Sequence, residues 1–222
     1  MMSSIAAALT EAWETGQPVA PLSAEFALGS LDAAEAVAGA VLEKLVLPPC
    51  GIRVLESGLV GAMLEGRISR TGLPLPLAAL PHGRAAPALL AVLGEAIAWD
   101  GEGLPVVARL HPALDLSASR WRDGPATIFE AAADLAGLGQ VVIGKGKPAH
   151  WPSSCALGAP RATPAGVAGL FETAVRVARE AGGLPVGAVL VLVFDSRAEV
   201  LSGPGPVTAR WSGLGAATAD LR

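Results

Sequence analysis

Two amphipathic helical stretches followed by an abrupt change of texture constrain this chain more than any other feature. Ile5, Ala8, Leu9 and Trp13 recur at helical spacing with Ser4 as N-cap, and the Gly16-Gln17-Pro18 step ends the element. A second helix starts after Ser30, places Leu31, Ala34, Val37, Ala38, Val41 and Leu45 on one side, and stops before Pro48-Pro49. From there to about residue 120, short apolar runs are broken by Gly and Pro, the pattern of strands and turns. The core is therefore predicted to be sheet.

Two further helices are predicted downstream. Thr127 to Leu138 turns Ile128, Ala131, Ala132 and Leu135 inward, with Gln140 to Ile143 as a strand behind it. A longer helix opens at Thr163-Pro164, where Thr can cap and Pro suits the first turn, and closes at Gly182-Gly183. Its inner stripe is Val167, Leu170, Phe171, Ala174 and Ala178. Strands at about Ala188 to Phe194, Val207 to Trp211 and Ala216 to Ala219 finish the chain. With no internal repeat and no long linker, the expected organisation is one α+β domain over 1–222: a helical part at 1–47 and a β-rich core with two further helices at 48–222.

Composition narrows the function classes. A hydrophobic content of 52% against 16% charged residues supports a substantial core, and a net charge of −4 without a basic run interleaved with aromatics argues against nucleic acid. The longest apolar stretch, Leu184 to Phe194, is too short to span a membrane and stops at Asp195, so it reads as a buried strand with its preceding turn. The start, Met1-Met2-Ser3-Ser4, lacks the basic region of a signal peptide, and Cys50 and Cys155 are too few for a disulfide framework; a cytoplasmic location is expected. The sparse charge also points to surface hidden in a homo-oligomer or a hetero-complex with another protein.

Several segments in consistent order carry a family resemblance. They are Ala7-Ala8-Leu9 with Glu11-Ala12-Trp13-Glu14-Thr15-Gly16 and Pro21-Leu22-Ser23-Ala24, the run from His111 to Arg120 (HPALDLSASR), and the closing Trp211-Ser212-Gly213-Leu214-Gly215. Together they resemble the 2-keto-4-pentenoate hydratase and 4-oxalocrotonate decarboxylase branch of the fumarylacetoacetate hydrolase superfamily. The resemblance implies a curved mixed β-sheet roll flanked by helices. It also implies a Mg²⁺ or Mn²⁺ ion that holds the carboxylate and 2-oxo group of a 2-oxo acid during hydratase or lyase chemistry.

The same resemblance exposes what this chain lacks. The strand from Arg84 to Leu93 has the layout of the family's Arg followed by Glu-x-Glu, but both glutamate positions are alanine, Ala86 and Ala88, and a methyl group cannot ligate a hard cation. The third ligand position is Asp115 where the family has Glu. The family lysine position reads Arg53, which keeps the charge but loses an ammonium able to titrate. The Asp before Ser-Arg is Ala118, the late Thr-Gly-Ser has become Leu192-Val193-Phe194-Asp195, and Gly144 to Arg161 is short for the family hairpin. No cofactor is expected.

Each remaining candidate has two readings. Asp115 is a surviving site carboxylate or else a loop cap or ion-pair partner, and Arg53 is a carboxylate clamp or an ordinary surface charge. His82 and His111 flank the site strands in sequence but have no second His or Cys at ligand spacing, which favours structural roles. Glu95 is a candidate ligand-binding group, and Glu56 could join it in a rebuilt pocket. Gly144-Lys145-Gly146-Lys147-Pro148 is basic and could grip an anion, yet it lacks the features of a P-loop and reads more simply as a solvated turn. Ser153-Ser154-Cys155 offers nucleophiles without an evident base, and Cys155 reads as a small hydrophobe.

Two function classes follow. The first is a catalytically degenerate hydratase-like protein that serves as a structural or regulatory partner, or binds a small carboxylic acid without turning it over. The second is an enzyme of hydratase or lyase type with a rebuilt, metal-independent site for a 2-oxo acid or related carboxylate. The pocket discriminates them: replacement polar groups should converge near Arg53, Ala88 and Asp115 in an enzyme, and apolar groups should fill that space in a degenerate scaffold.

Overall fold

The computed structural model describes residues 2–23, 25, 27–149, 151–157 and 166–222. Four α-helices occur among them: α1 (Met2–Thr15), α2 (Leu31–Lys44), α3 (Ile128–Ala133) and α4 (Val167–Glu180). The strands are β1 (Pro49–Leu55), β2 (Val60–Leu64), β3 (Ile68–Arg70), β4 (Pro74–Leu75), β5 (Arg84–Leu93), β6 (Ile97–Ala98) and β7 (Val107–Ser117). They continue with β8 (Leu138–Ile143), β9 (Cys155–Leu157), β10 (Gly183–Leu184), β11 (Val189–Val193), β12 (Glu199–Val200), β13 (Gly205–Trp211) and β14 (Gly215–Leu221).

The main sheet runs β2-β1-β11-β5-β7-β8-β3, with β12 paired to the start of β5. It is mixed: β1 and β11 pair in parallel, as do β3 and β8, and the other neighbours are antiparallel. A second sheet, β4-β14-β13-β9, and the small β6-β10 pair complete the β structure. The α+β expectation and the curled mixed sheet with a few helices agree.

Alternation along the central strands gives the main sheet a largely apolar set of side chains on each face. On one face, Ala86, Ala88 and Leu90 of β5, Ala113 of β7 and the Val189, Val191 and Val193 set of β11 pack with Ile5 and Leu9 of α1, with Val37 and Val41 of α2, and with Ala132 and Ala133 of α3. On the other face, Leu89, Ala91 and Leu93 pack with Leu190 and Leu192 against Leu170, Phe171, Ala174 and Ala178 of α4. Leu114 and Leu116 join Ala217, Ala219 and Leu221 in a third cluster between the two larger sheets. The stretch from Leu184 to Phe194 is the predicted turn and buried strand.

Helix ends follow local chemistry, with some departures from the sequence expectation. Ser30 caps α2 by accepting the Ala33 N–H, and Thr127 caps α3 by accepting the Glu130 N–H. Ser4, expected to cap α1, lies inside a helix that already runs from Met2. Leu31 and Ile128, expected inward, are exposed, because each occupies the first helical position at the edge of its packing face. The expected opening of the long helix at Thr163-Pro164 lies outside the described residues, whereas its predicted inner stripe is buried in full.

The largest departure is at Leu135. Periodicity extends α3 through it, but the helix stops after six residues, and Leu135, Ala136 and Gly137 take φ values of 51°, 54° and 68°. Non-glycine residues adopt this left-handed backbone only at a cost, so a buried run of it implies that the surroundings impose it. Gly61 of β2 is one such constraint, since a Cβ there would lie 2.8 Å from the Leu135 carbonyl oxygen. No helix among the described residues is long and apolar enough to cross a membrane.

Candidate functional site

Strand register brings the expected site positions together. Ala86 on β5 stands directly opposite Asp115 on β7, and Ala88 stands opposite Ala113, so Ala86, Ala88 and Asp115 share one face of the sheet. Arg53 projects onto that face from β1, which is separated from β7 by β11 and β5. Its guanidinium donates from Nε to Asp115 Oδ1 at 2.7 Å and from Nη2 to Asp115 Oδ2 at 2.6 Å. The remaining Nη1 donates to the Ala136 carbonyl oxygen at 2.8 Å. Arg53 is 1% exposed and Asp115 2% exposed.

This is a sealed ion pair rather than an open clamp. Two parallel charge-assisted hydrogen bonds satisfy both carboxylate oxygens, and the left-handed turn at Leu135–Gly137 supplies the third acceptor. Ala86 and Ala88 are buried beside it. Burying two charges is tolerated only with such complete pairing.

A second buried arginine is fastened to the same turn. Arg120 donates its backbone N–H to Asp134 Oδ2 at 2.8 Å, its Nη1 to the Ala118 carbonyl and its Nη2 to the Leu138 carbonyl. Its guanidinium carbon lies 3.5 Å from the centre of the Trp13 ring, and that of Arg67 lies 4.6 Å from it. Asp134 Oδ1 sits 3.5 Å from Arg120 Nη1, and the Trp13 indole N–H also faces this carboxylate, neither in proper hydrogen-bond geometry. Burial pushes Asp134 up to about 6, against the attraction of Arg120, and burial pulls Arg120 down to about 10.

The other candidates do not join Arg53 and Asp115. His82, in a left-handed conformation, donates from Nε2 to the Arg122 carbonyl. His111 donates from Nδ1 to the Gly144 carbonyl at 2.9 Å. Glu95 is exposed and accepts the Val106 N–H, while Glu56 is exposed and accepts the Ser196 hydroxyl. Cys155 is buried in the α4 cluster as a small hydrophobe, and Ser153 hydrogen-bonds to Ser212. The Arg120–Asp134 pair escaped the sequence reading because an Asp between a helix and a strand is ordinary by itself; only the Ala136-Gly137-Leu138-Gly139 run hinted at an unusual turn there.

The fold has likenesses among solved structures. The chain aligns over its whole length, and over 97% of the other chain, with 4-oxalocrotonate decarboxylase from Pseudomonas putida G7 in complex with magnesium and adipate, at a TM-score of 0.80 and 14% identity. The chain has the fold of that decarboxylase. More distant members of the same fold include 2-hydroxyhepta-2,4-diene-1,7-dioate isomerase from Mycobacterium marinum, with a TM-score of 0.54 at 14% identity over 79% of this chain and 76% of that one. Fumarylpyruvate hydrolase from Pseudomonas aeruginosa, in complex with Mn²⁺ and pyruvate, gives a TM-score of 0.52 at 13% identity over 80% and 91%. No protein-family model matches the chain, and no curated protein does.

That solved decarboxylase is complexed with magnesium, and the residues of this chain on the Asp115 face do not fit a divalent cation. Ala86 and Ala88 present methyl groups there, and both oxygens of Asp115 are engaged by Arg53. Among the described residues no three His, Cys, Asp or Glu side chains converge in a way that could hold a metal ion.

Proposed function

We propose that this chain is a catalytically degenerate member of the hydratase and decarboxylase branch, acting as a structural or regulatory partner of another protein chain rather than by turnover at the ancestral site. One observation carries the reading: the guanidinium of Arg53 occupies both oxygens of Asp115 in a space closed to solvent. A fixed organic cation there would meet the charge requirement of the lone carboxylate while presenting no open coordination position to a 2-oxo acid. A rebuilt enzyme would need replacement polar groups, and His82, His111, Glu56 and Glu95 have their own partners elsewhere.

The partner role draws support from exposed apolar side chains. Trp99 is 71% exposed, and Leu104, Val106 and Val186 are also largely open. The partner is a second copy of this chain or a different protein, and sedimentation of the purified protein alone and in extract distinguishes them. The decisive assay offers wild-type protein 4-oxalocrotonate and 2-hydroxypenta-2,4-dienoate with Mg²⁺ or Mn²⁺. No turnover is expected; metal-dependent decarboxylation or hydration would overturn the reading.

A further inference from the structure

A basic cavity of about 390 Å³ lies on the same side of β7 as Asp115 but toward the other end of the strand. Its walls come from Arg70 at the end of β3, Arg109 and His111 on β7, and the Gly144-Lys145-Gly146 turn that leaves β8. Every ionisable lining residue is basic or imidazole, in a chain whose acidic residues outnumber its Lys and Arg, 20 to 16. Arg70, Arg109 and Lys145 have no ion pair among the described residues. Three unpaired cations held around one cavity repel each other unless an anion joins them.

The backbone is shaped to the same end. Ala113 pairs with Ile143, but the next bridge joins Leu110 to Lys147, so three steps on β7 face four on the other strand. This one-residue bulge lifts the turn out of the ladder and leaves the N–H groups of Lys145 and Gly146 without partners among the described residues. Lys147 then pins the turn by donating from Nζ to the Gly213 carbonyl at 2.8 Å.

Close approach requires glycine at 144, against backbone, and packs two side chains onto Gly146. A Cβ on Gly144 would fall 2.0 Å from the Ala216 carbonyl oxygen, and one on Gly146 would fall 2.4 Å from His111 Cε1 and 2.6 Å from Arg109 Cδ. The imidazole and the Arg109 stem thus lie against bare backbone. Because a carbonyl oxygen can only accept, the Gly144 contact fixes the His111 proton on Nδ1 and leaves Nε2 as the ring's second polar atom.

We infer that this cavity binds a small oxyanion carrying two or more negative charges, of the phosphate-monoester or polycarboxylate class. Arg70 and Arg109 offer planar forks suited to either oxyanion, Lys145 a mobile point charge, and the free amides of the turn a polar floor. The inference goes beyond the degenerate-scaffold reading and does not depend on it, since His111 stands four residues, about 13 Å along the strand, from Asp115.

The test is calorimetric titration of the full chain at low ionic strength with inorganic phosphate, citrate and, as a singly charged control, acetate. Phosphate or citrate should bind one to one with a sub-millimolar Kd, and acetate at least about tenfold more weakly. Whichever probe binds more tightly separates phosphate esters from polycarboxylates. Arg109→Gln and Lys145→Gln, both at exposed positions, should each weaken binding about five- to tenfold, and Arg176→Gln on α4 should leave it unchanged. No binding of phosphate or citrate up to about 10 mM, or the same affinity in Arg109→Gln and Lys145→Gln as in the wild type, would overturn the inference.

Discussion

Arg53 and Asp115 lie 62 residues apart in the chain and on strands separated by two others, yet they meet as a two-pronged ion pair that excludes water. Both oxygens of a carboxylate at an inferred metal position are thereby committed to a protein cation. The relationship defines what the face can still do.

Metal binding should be weak. Mg²⁺ prefers near-octahedral oxygen coordination, and here it would have to displace a buried guanidinium to reach a single aspartate. Millimolar Mg²⁺ or Mn²⁺ is expected to leave the thermal midpoint unchanged. Calorimetry showing low-micromolar binding that Asp115→Ala abolishes would contradict this.

Breaking the pair should be far more damaging than removing it. Asp115→Ala strands a buried guanidinium and is expected to destabilise the fold by about 3–5 kcal/mol, whereas Arg53→Met combined with Asp115→Leu should recover most of the loss. Urea unfolding of Arg53→Met, Asp115→Leu and their combination completes a cycle. Additive losses would mean that the two residues are not coupled.

Placing a carboxylate at position 88 should do harm. Ala88 is fully buried among Leu90, Ala113 and Val193 of its cluster, beside an Arg53 already committed to Asp115 and Ala136, so Ala88→Glu introduces an acid with no free partner. A loss of about 1–3 kcal/mol with no hydratase turnover on 2-hydroxypenta-2,4-dienoate is expected. A neutral variant would show that the face admits water.

Asp134 gives the protein a pH dependence of unusual sign for an aspartate. Burial raises it from 3.8 to about 6, so the folded state favours the protonated acid. The stability it contributes is complete below about pH 4 and lost as pH rises through about 6, a difference on the order of 2–3 kcal/mol. Comparing wild type with Asp134→Asn, which keeps an acceptor for the Arg120 N–H, the wild type should gain on the variant between pH 7 and 4.5. A constant difference across that range would show that Asp134 stays ionised.

Local pattern served well where burial is decided within one element. The α4 stripe and the Ser30 and Thr127 caps needed only periodicity and a side-chain oxygen three residues before an open N–H. It failed at Leu135, where spacing continues the helix but packing against Gly61 and the hydrogen bonds of Asp134 and Ala136 to two arginines favour a left-handed turn. It also left His82, Glu56 and Glu95 as candidates, because proximity to a site strand in sequence does not place a side chain on the site face.

The sequence by itself determined that positions 86 and 88 cannot ligate a cation. Ala86 and Ala88 offer only methyl groups whatever the fold, and no packing lends a methyl group a lone pair. The tertiary structure alone decided what became of the charge that remained. Whether Arg53 faced solvent, a substrate or Asp115 depended on the strand order β1-β11-β5-β7 and on a turn more than eighty residues further along the chain. Long-range register is set by the sum of many apolar contacts, and no short segment carries that sum.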